Sequence, residues 1–153
     1  MTLRILLAAL HLTGLGVGLG AVWARARGFQ GTLDASGLRR LFAADSWWGL
    51  AAVLWIGTGL WRLLAGIEKP TTYYLHNHVF WLKMAALAAI LLLEISPMVT
   101  LIKWRVLAAR GAPVDVRRAP LFATISYVQA VLVLLMVVAA TAMARGLGSG
   151  VRE

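Results

Sequence analysis

Apolar residues run through this chain in four long stretches, about 3–23, 47–64, 79–102 and 121–144, separated by short segments that collect most of the Arg, Lys, Asp and Pro residues. A hydrocarbon core of about 30 Å takes about 20 apolar residues of helix, and each stretch is near that length. The pattern predicts an all-α polytopic membrane protein, four transmembrane helices in one antiparallel bundle that fills residues 1–153 as a single domain. Between the first two spans, Asp34 is placed to cap a short helix over 34–44, with Leu38, Leu41 and Phe42 on one side and Arg39 and Arg40 near the other. That is the signature of an interfacial helix lying on the inner leaflet. Asp45 or Ser46 then caps span two, and Trp47 and Trp48 fall at the depth of an aromatic belt. Trp55, Trp61 and Trp104 read as further anchoring and packing residues.

The third span is predicted to start early. Thr71 or Thr72, just after Pro70, caps a helix that projects above the bilayer and continues to Ile102. On one unbroken helix His76 to Lys83 is about 700° and His76 to Glu94 about 1800°, both within about 20° of whole turns. The three ionisable side chains then form one stripe, which belongs in the bundle interior because charge is costly against acyl chains. His78 falls on the opposite side, and Pro97 is expected to kink the inner end. In span one, Gly14 with Gly18 and Gly16 with Gly20 form small-xxx-small pairs. His11, Gly14 and Gly18 share a face, a groove suited to a helix contact or a flat ligand.

Composition sets the class. Apolar residues make up 61% and charged residues 14% of the chain, with a mean hydropathy of +0.80, outside the range of soluble domains. The net charge of +9 would suggest nucleic acid in a soluble protein, yet its distribution points to the bilayer. Arg25, Arg27, Arg39 and Arg40 follow span one, and Lys103, Arg105, Arg110, Arg117 and Arg118 follow span three. The positive-inside rule therefore makes both basic loops cytoplasmic and both termini external, in a bacterial inner membrane with lipid as the first partner. The absence of cysteine removes disulfides, iron–sulfur clusters and thiolate catalysis. No nucleophile motif, glycosidase-like carboxylate pair or phosphate loop occurs.

The chemistry must therefore come from the intramembrane polar residues. His11 is a candidate axial ligand for haem iron, with its glycine neighbours giving a porphyrin plane room; the alternative is a histidine hydrogen-bonded to another span. Lys83 and Arg62 are candidate partners for propionates, with snorkelling the alternative for Lys83. His76 is a candidate second metal ligand. Glu94 and Gln129 lie at about the same depth, about 12 Å from the cytoplasmic face, and are candidates for a proton relay. An unpaired carboxylate at that depth would protonate, so a neutral Glu94 is expected.

Over its whole length the chain resembles a bacterial family of four-span membrane proteins classed only as a domain of unknown function. The resemblance is carried by Leu10-His11-Leu12-Thr13-Gly14, Asp45-Ser46-Trp47-Trp48-Gly49, Lys69 to His78, Phe80-Trp81-Leu82-Lys83 and Glu94-Ile95-Ser96-Pro97-Met98. More remotely, His11 followed by Gly14, and Trp81-Leu82-Lys83 opening span three, resemble the HemJ-type protoporphyrinogen oxidases. That family has a tryptophan four residues before its lysine, where this chain has Val79. The likeness implies affinity for b-type haem or another tetrapyrrole in redox or electron transfer. Two other readings stand beside it: a small transport subunit using the His76–Lys83–Glu94 stripe, as a homodimer, and an accessory or assembly subunit of a larger membrane complex.

Overall fold

A computed structural model describes residues 2–66 and 71–148. Glu68, Lys69 and Pro70, part of the expected outer loop, lie outside the described residues. The described chain is all-helical: α1 (Thr2–Gln30), α2 (Ala35–Leu64), the short α3 (Thr71–Leu75), α4 (His78–Ala109) and α5 (Ala119–Ala144). The four long helices are each long and apolar enough to cross a membrane. α1 packs along both α2 and α5, and α4 packs along α5, whereas α2 and α4 meet through long side chains with few close backbone approaches. The helices thus run in the order α2, α1, α5, α4, with the seam between α2 and α4 the least filled.

Two helix boundaries depart from the sequence expectation. The proposed interfacial helix over 34–44 is the first three turns of α2, which continues unbroken to Leu64. Asp34 does cap it, accepting from the Gly37 amide at 2.7 Å and from the Ser36 hydroxyl at 2.8 Å. Those bonds, the Gly37 amide first, hold its carboxyl below the usual carboxylate range. Gly37 is required there because a Cβ would run into the Thr32 carbonyl. Leu38 and Leu41, expected against the membrane surface, are buried with Phe29, Leu101, Trp104 and Phe122. Their apolar side finds protein instead of lipid, so Asp45 sits inside a helix and not at a cap.

The second departure is on the third span. The continuous helix from 71 to 102 is interrupted, with His76 and Asn77 between α3 and α4. Asn77 caps α4, its Oδ1 accepting from the Val79 and Phe80 amides at 2.9 and 3.3 Å. Its Nδ2 donates to the Leu147 carbonyl at 3.2 Å, tying this turn to the end of α5. Asn77 is fully buried, and Asn77→Ala is expected to cost about 0.5–2 kcal/mol; a denaturant titration of the detergent-solubilised protein checks it. α4 ends at Ala109 with Arg110 as its C-cap, and Gly111 takes φ +67°. That left-handed residue lets Ala112 N–H reach back to the Leu107 carbonyl at 3.0 Å.

The tryptophans divide into two groups. Trp48, Trp55 and Trp104 are core residues, while Trp23, Trp47, Trp61 and Trp81 are more than half exposed. One apolar layer gathers Ala21, Val22, Trp48, Trp55, Ile90, Ala130, Val133 and Met136. A second, at the basic-loop end, contains Phe29, Leu41, Leu101, Trp104 and Phe122. In lipid such layers hold through close packing more than through water exclusion. Phe29 supplies part of it, with Trp104 edge-on at 6.2 Å and Phe122 tilted at 5.5 Å.

Candidate functional site

Between the two apolar layers every long helix carries polar residues. On α1 the buried positions Leu7, His11, Gly14, Gly18, Ala21, Arg25 and Phe29 step by three or four, so Arg25 continues the face that begins at His11. On α4 the inward stripe is Phe80, Lys83, Leu87, Ile90, Glu94, Pro97, Leu101 and Trp104. It places Glu94 opposite Arg25. α2 contributes Asp45 and Trp48, and α5 contributes Ser126 and Gln129.

Arg25 is the hub of this cluster. Its side chain has 0% exposure, and a guanidinium has five N–H donors. All five are used. Nε donates to Ser126 Oγ at 3.2 Å; Nη1 donates to Asp45 Oδ1 at 3.0 Å and Glu94 Oε1 at 2.6 Å; Nη2 donates to Glu94 Oε2 and Gln129 Oε1, both at 2.8 Å. The Glu94 contact is bidentate, the strongest arrangement for this pair. Glu94 Oε2 also accepts from Trp48 Nε1 at 3.0 Å and Gln129 Nε2 at 2.9 Å. Every one of these groups offers Glu94 a donor, so both of its oxygens are hydrogen-bonded and the side chain is paired with Arg25. Gln129 Nε2 further donates to the Ile90 carbonyl at 3.1 Å, which fixes the orientation of its amide.

The cluster balances its charge. Asp45 also accepts from Arg105 Nη2 at 3.0 Å, so two cations face two carboxylates. Arg105 Nη2 reaches the Phe42 carbonyl and Ser46 Oγ as well. Asp45 and Glu94 each keep 17% exposure, and no buried side-chain polar atom among the described residues lacks a partner. A half-satisfied network would be worse than an apolar core; this one is complete.

The other sequence-derived candidates lie elsewhere. His11 is buried, its Nδ1 3.1 Å from Thr58 Oγ1. Because that hydroxyl donates to the Leu54 carbonyl at 2.7 Å, an Nδ1–H donating to Thr58 satisfies both groups. The groove read beside His11 is filled by α2: a Cβ on Gly14 would lie 3.1 Å from Trp55 N, one on Gly18 3.4 Å from Ala51 Cβ, and one on Gly59 2.9 Å from His11 Cε1. This leaves a helix contact where a porphyrin plane was allowed for. Gly16 and Gly20 face open space, so their pair makes no contact within the chain. His76 is exposed in the turn, its Nδ1 donating to the Thr72 carbonyl at 2.8 Å; it leaves the stripe because the helix breaks beside it. Lys83 and Arg62 are half-buried. No cluster of three or more His, Asp or Glu residues suited to a metal ion occurs among the described residues. Glu94 and Gln129 are brought together, and Arg25, Asp45, Trp48 and Arg105 join them unannounced.

A family profile described as a predicted membrane protein (DUF2214) matches residues 3–148, which include all of the charge cluster. The chain belongs to the DUF2214 family. No curated protein and no solved structure matches it significantly.

Proposed function

We propose that this integral membrane protein is an accessory or assembly subunit, a rigid four-helix scaffold that holds its place in a larger membrane complex. The observation that carries the reading is the saturated guanidinium of Arg25. Arginine does not give up its proton in proteins, and here each of its N–H groups is committed, so the cluster fastens four helices and has no part left over for moving a proton. A transport path along Lys83 and Glu94 is disfavoured by the apolar layer between them, where Ile90 packs with Trp55, Val133 and Met136. α4 is also the least buried of the four spans, which leaves most of its apolar surface for lipid or a partner. The test is the mass of the particle extracted from native membranes in a mild detergent, by light scattering corrected for bound detergent. A particle well above one 16.5 kDa chain is the expected result; a lone chain refutes the assembly role.

One observation favours a second reading, b-type haem on His11. The Thr58 hydroxyl orients the imidazole through Nδ1, as outer groups orient metal-bound histidines. Against it stands the α2 backbone beside Gly14. An absorption spectrum of the purified protein separates the two: a Soret band that His11→Ala abolishes would establish haem, and a colourless protein that takes up no added haemin removes it.

The two basic segments share one end of the bundle, and that end is assigned to the cytoplasm. Because the chain has no cysteine, single-cysteine variants give a clean check. Val116→Cys is expected to react with an impermeant maleimide only after the cells are opened, and Thr72→Cys in intact cells. The reverse pattern would invert the orientation.

A further inference from the structure

At the basic-loop end of the seam between α2 and α4 lies a cleft of about 360 Å³. Leu38 and Phe42 form one wall, Ala108 and Ala109 the other, and Arg39 and Arg105 supply its cations. The two arginines differ in their engagement. Arg105 lies 4.8 Å over the Phe42 ring, and its hydrogen bonds all leave from Nη2; none among the described residues uses Nε or Nη1. Arg39 is exposed and forms no ion pair or hydrogen bond with the described residues. The nearby acids are already committed: Asp45 to Arg25 and Arg105, and Asp34 to its helix cap. The cleft therefore offers positive charge above an apolar floor, in a chain that has balanced its other buried charges.

We infer that this cleft binds one anionic phospholipid from the leaflet at the basic end, its phosphate on Arg39 and Arg105 and its acyl chains along the seam between α2 and α4. Basic pockets between membrane helices select anionic headgroups in this way, and a guanidinium pairs with phosphate oxygens through two parallel bonds. The cleft has room for a headgroup and its glycerol, and the backbones of α2 and α4 come close at few points, so acyl chains can lie against the lipid-facing side of that seam. The site stands on its own residues and is independent of the assembly role.

Native mass spectrometry of the delipidated protein in detergent tests the site, with phosphatidylglycerol and phosphatidylcholine of identical acyl chains as probes. The expected result is retention of one phosphatidylglycerol in preference to phosphatidylcholine, weakened about tenfold or more in Arg39→Gln, the loss of a charge-assisted contact. Phe42→Ala should weaken it too, while Arg40→Gln and Arg117→Gln, outside the cleft, should not. Equal retention of both lipids, an Arg40→Gln effect as large as that of Arg39→Gln, or an unchanged Arg39→Gln would overturn the assignment. Glycerol phosphate without acyl chains should not bind; if it binds as tightly as the lipid, the ligand is a soluble phosphate and the lipid site is refuted.

Discussion

Arg25→Met is expected to be the most damaging single substitution in the bundle. It removes one cation and leaves Glu94 and Asp45 side by side with only Arg105 to share between them. Breaking a buried ion pair from one side costs about 3–5 kcal/mol, mostly because the remaining charge is stranded. The loss should appear as a shift of the denaturation midpoint when detergent-solubilised protein is titrated with sodium dodecyl sulfate. Arg25→Lys should fall between wild type and Arg25→Met, because an ammonium has three donors where five acceptor contacts wait. The double variant Arg25→Met with Glu94→Leu removes one charge of each sign and leaves Asp45 with Arg105, so it should recover much of the loss. If Arg25→Met were as stable as the wild type, the cluster would not be what fastens the helices.

Gly14→Leu ranks second. Even a single added carbon would sit 3.1 Å from the Trp55 nitrogen and 3.3 Å from its Cα, and a backbone cannot swing aside as a flexible side chain would. The larger side chain has to push α1 from α2, at about 1–3 kcal/mol for an overpacked contact. A Cβ at Gly16 or Gly20 meets nothing within 4 Å, so Gly16→Leu and Gly20→Leu should leave the same titration nearly unchanged. Equal effects at all three positions would mean that span one tolerates or resists bulk as a whole, and that the close approach at Gly14 has no special weight.

The four spans are legible because the bilayer imposes a length on each apolar run, and a run of that length has few other uses. Helix ends are less legible. Arg25, Arg27, Arg39, Arg40 and Asp45 look like loop, but they lie inside α1 and α2, with Arg25 and Asp45 paired across helices and Arg27, Arg39 and Arg40 on exposed faces. The spacing that grouped His11, Gly14 and Gly18 reaches Arg25 in seven more residues, about 20° from two whole turns; followed down the helix, it would have found the hub. Its partners could not be found this way. Asp45, Glu94, Ser126 and Gln129 stand 20, 69, 101 and 104 residues away along the chain, and only packing brings them together. The break before α4 did leave a signal, since Asn is a preferred helix cap and Asn77 directly precedes His78-Val79-Phe80.

The position of the ionic layer also bears on the order of biogenesis. When α1 and α2 first enter the bilayer, Arg25 has Asp45 beside it, but Glu94, Ser126 and Gln129 belong to helices that insert later. The nascent N-terminal hairpin therefore holds a guanidinium with most of its donors unmatched, and the C-terminal hairpin completes the set when it arrives. A chain halted after α2 would keep that deficit, the sort of defect by which membrane quality control distinguishes an orphan from a finished product.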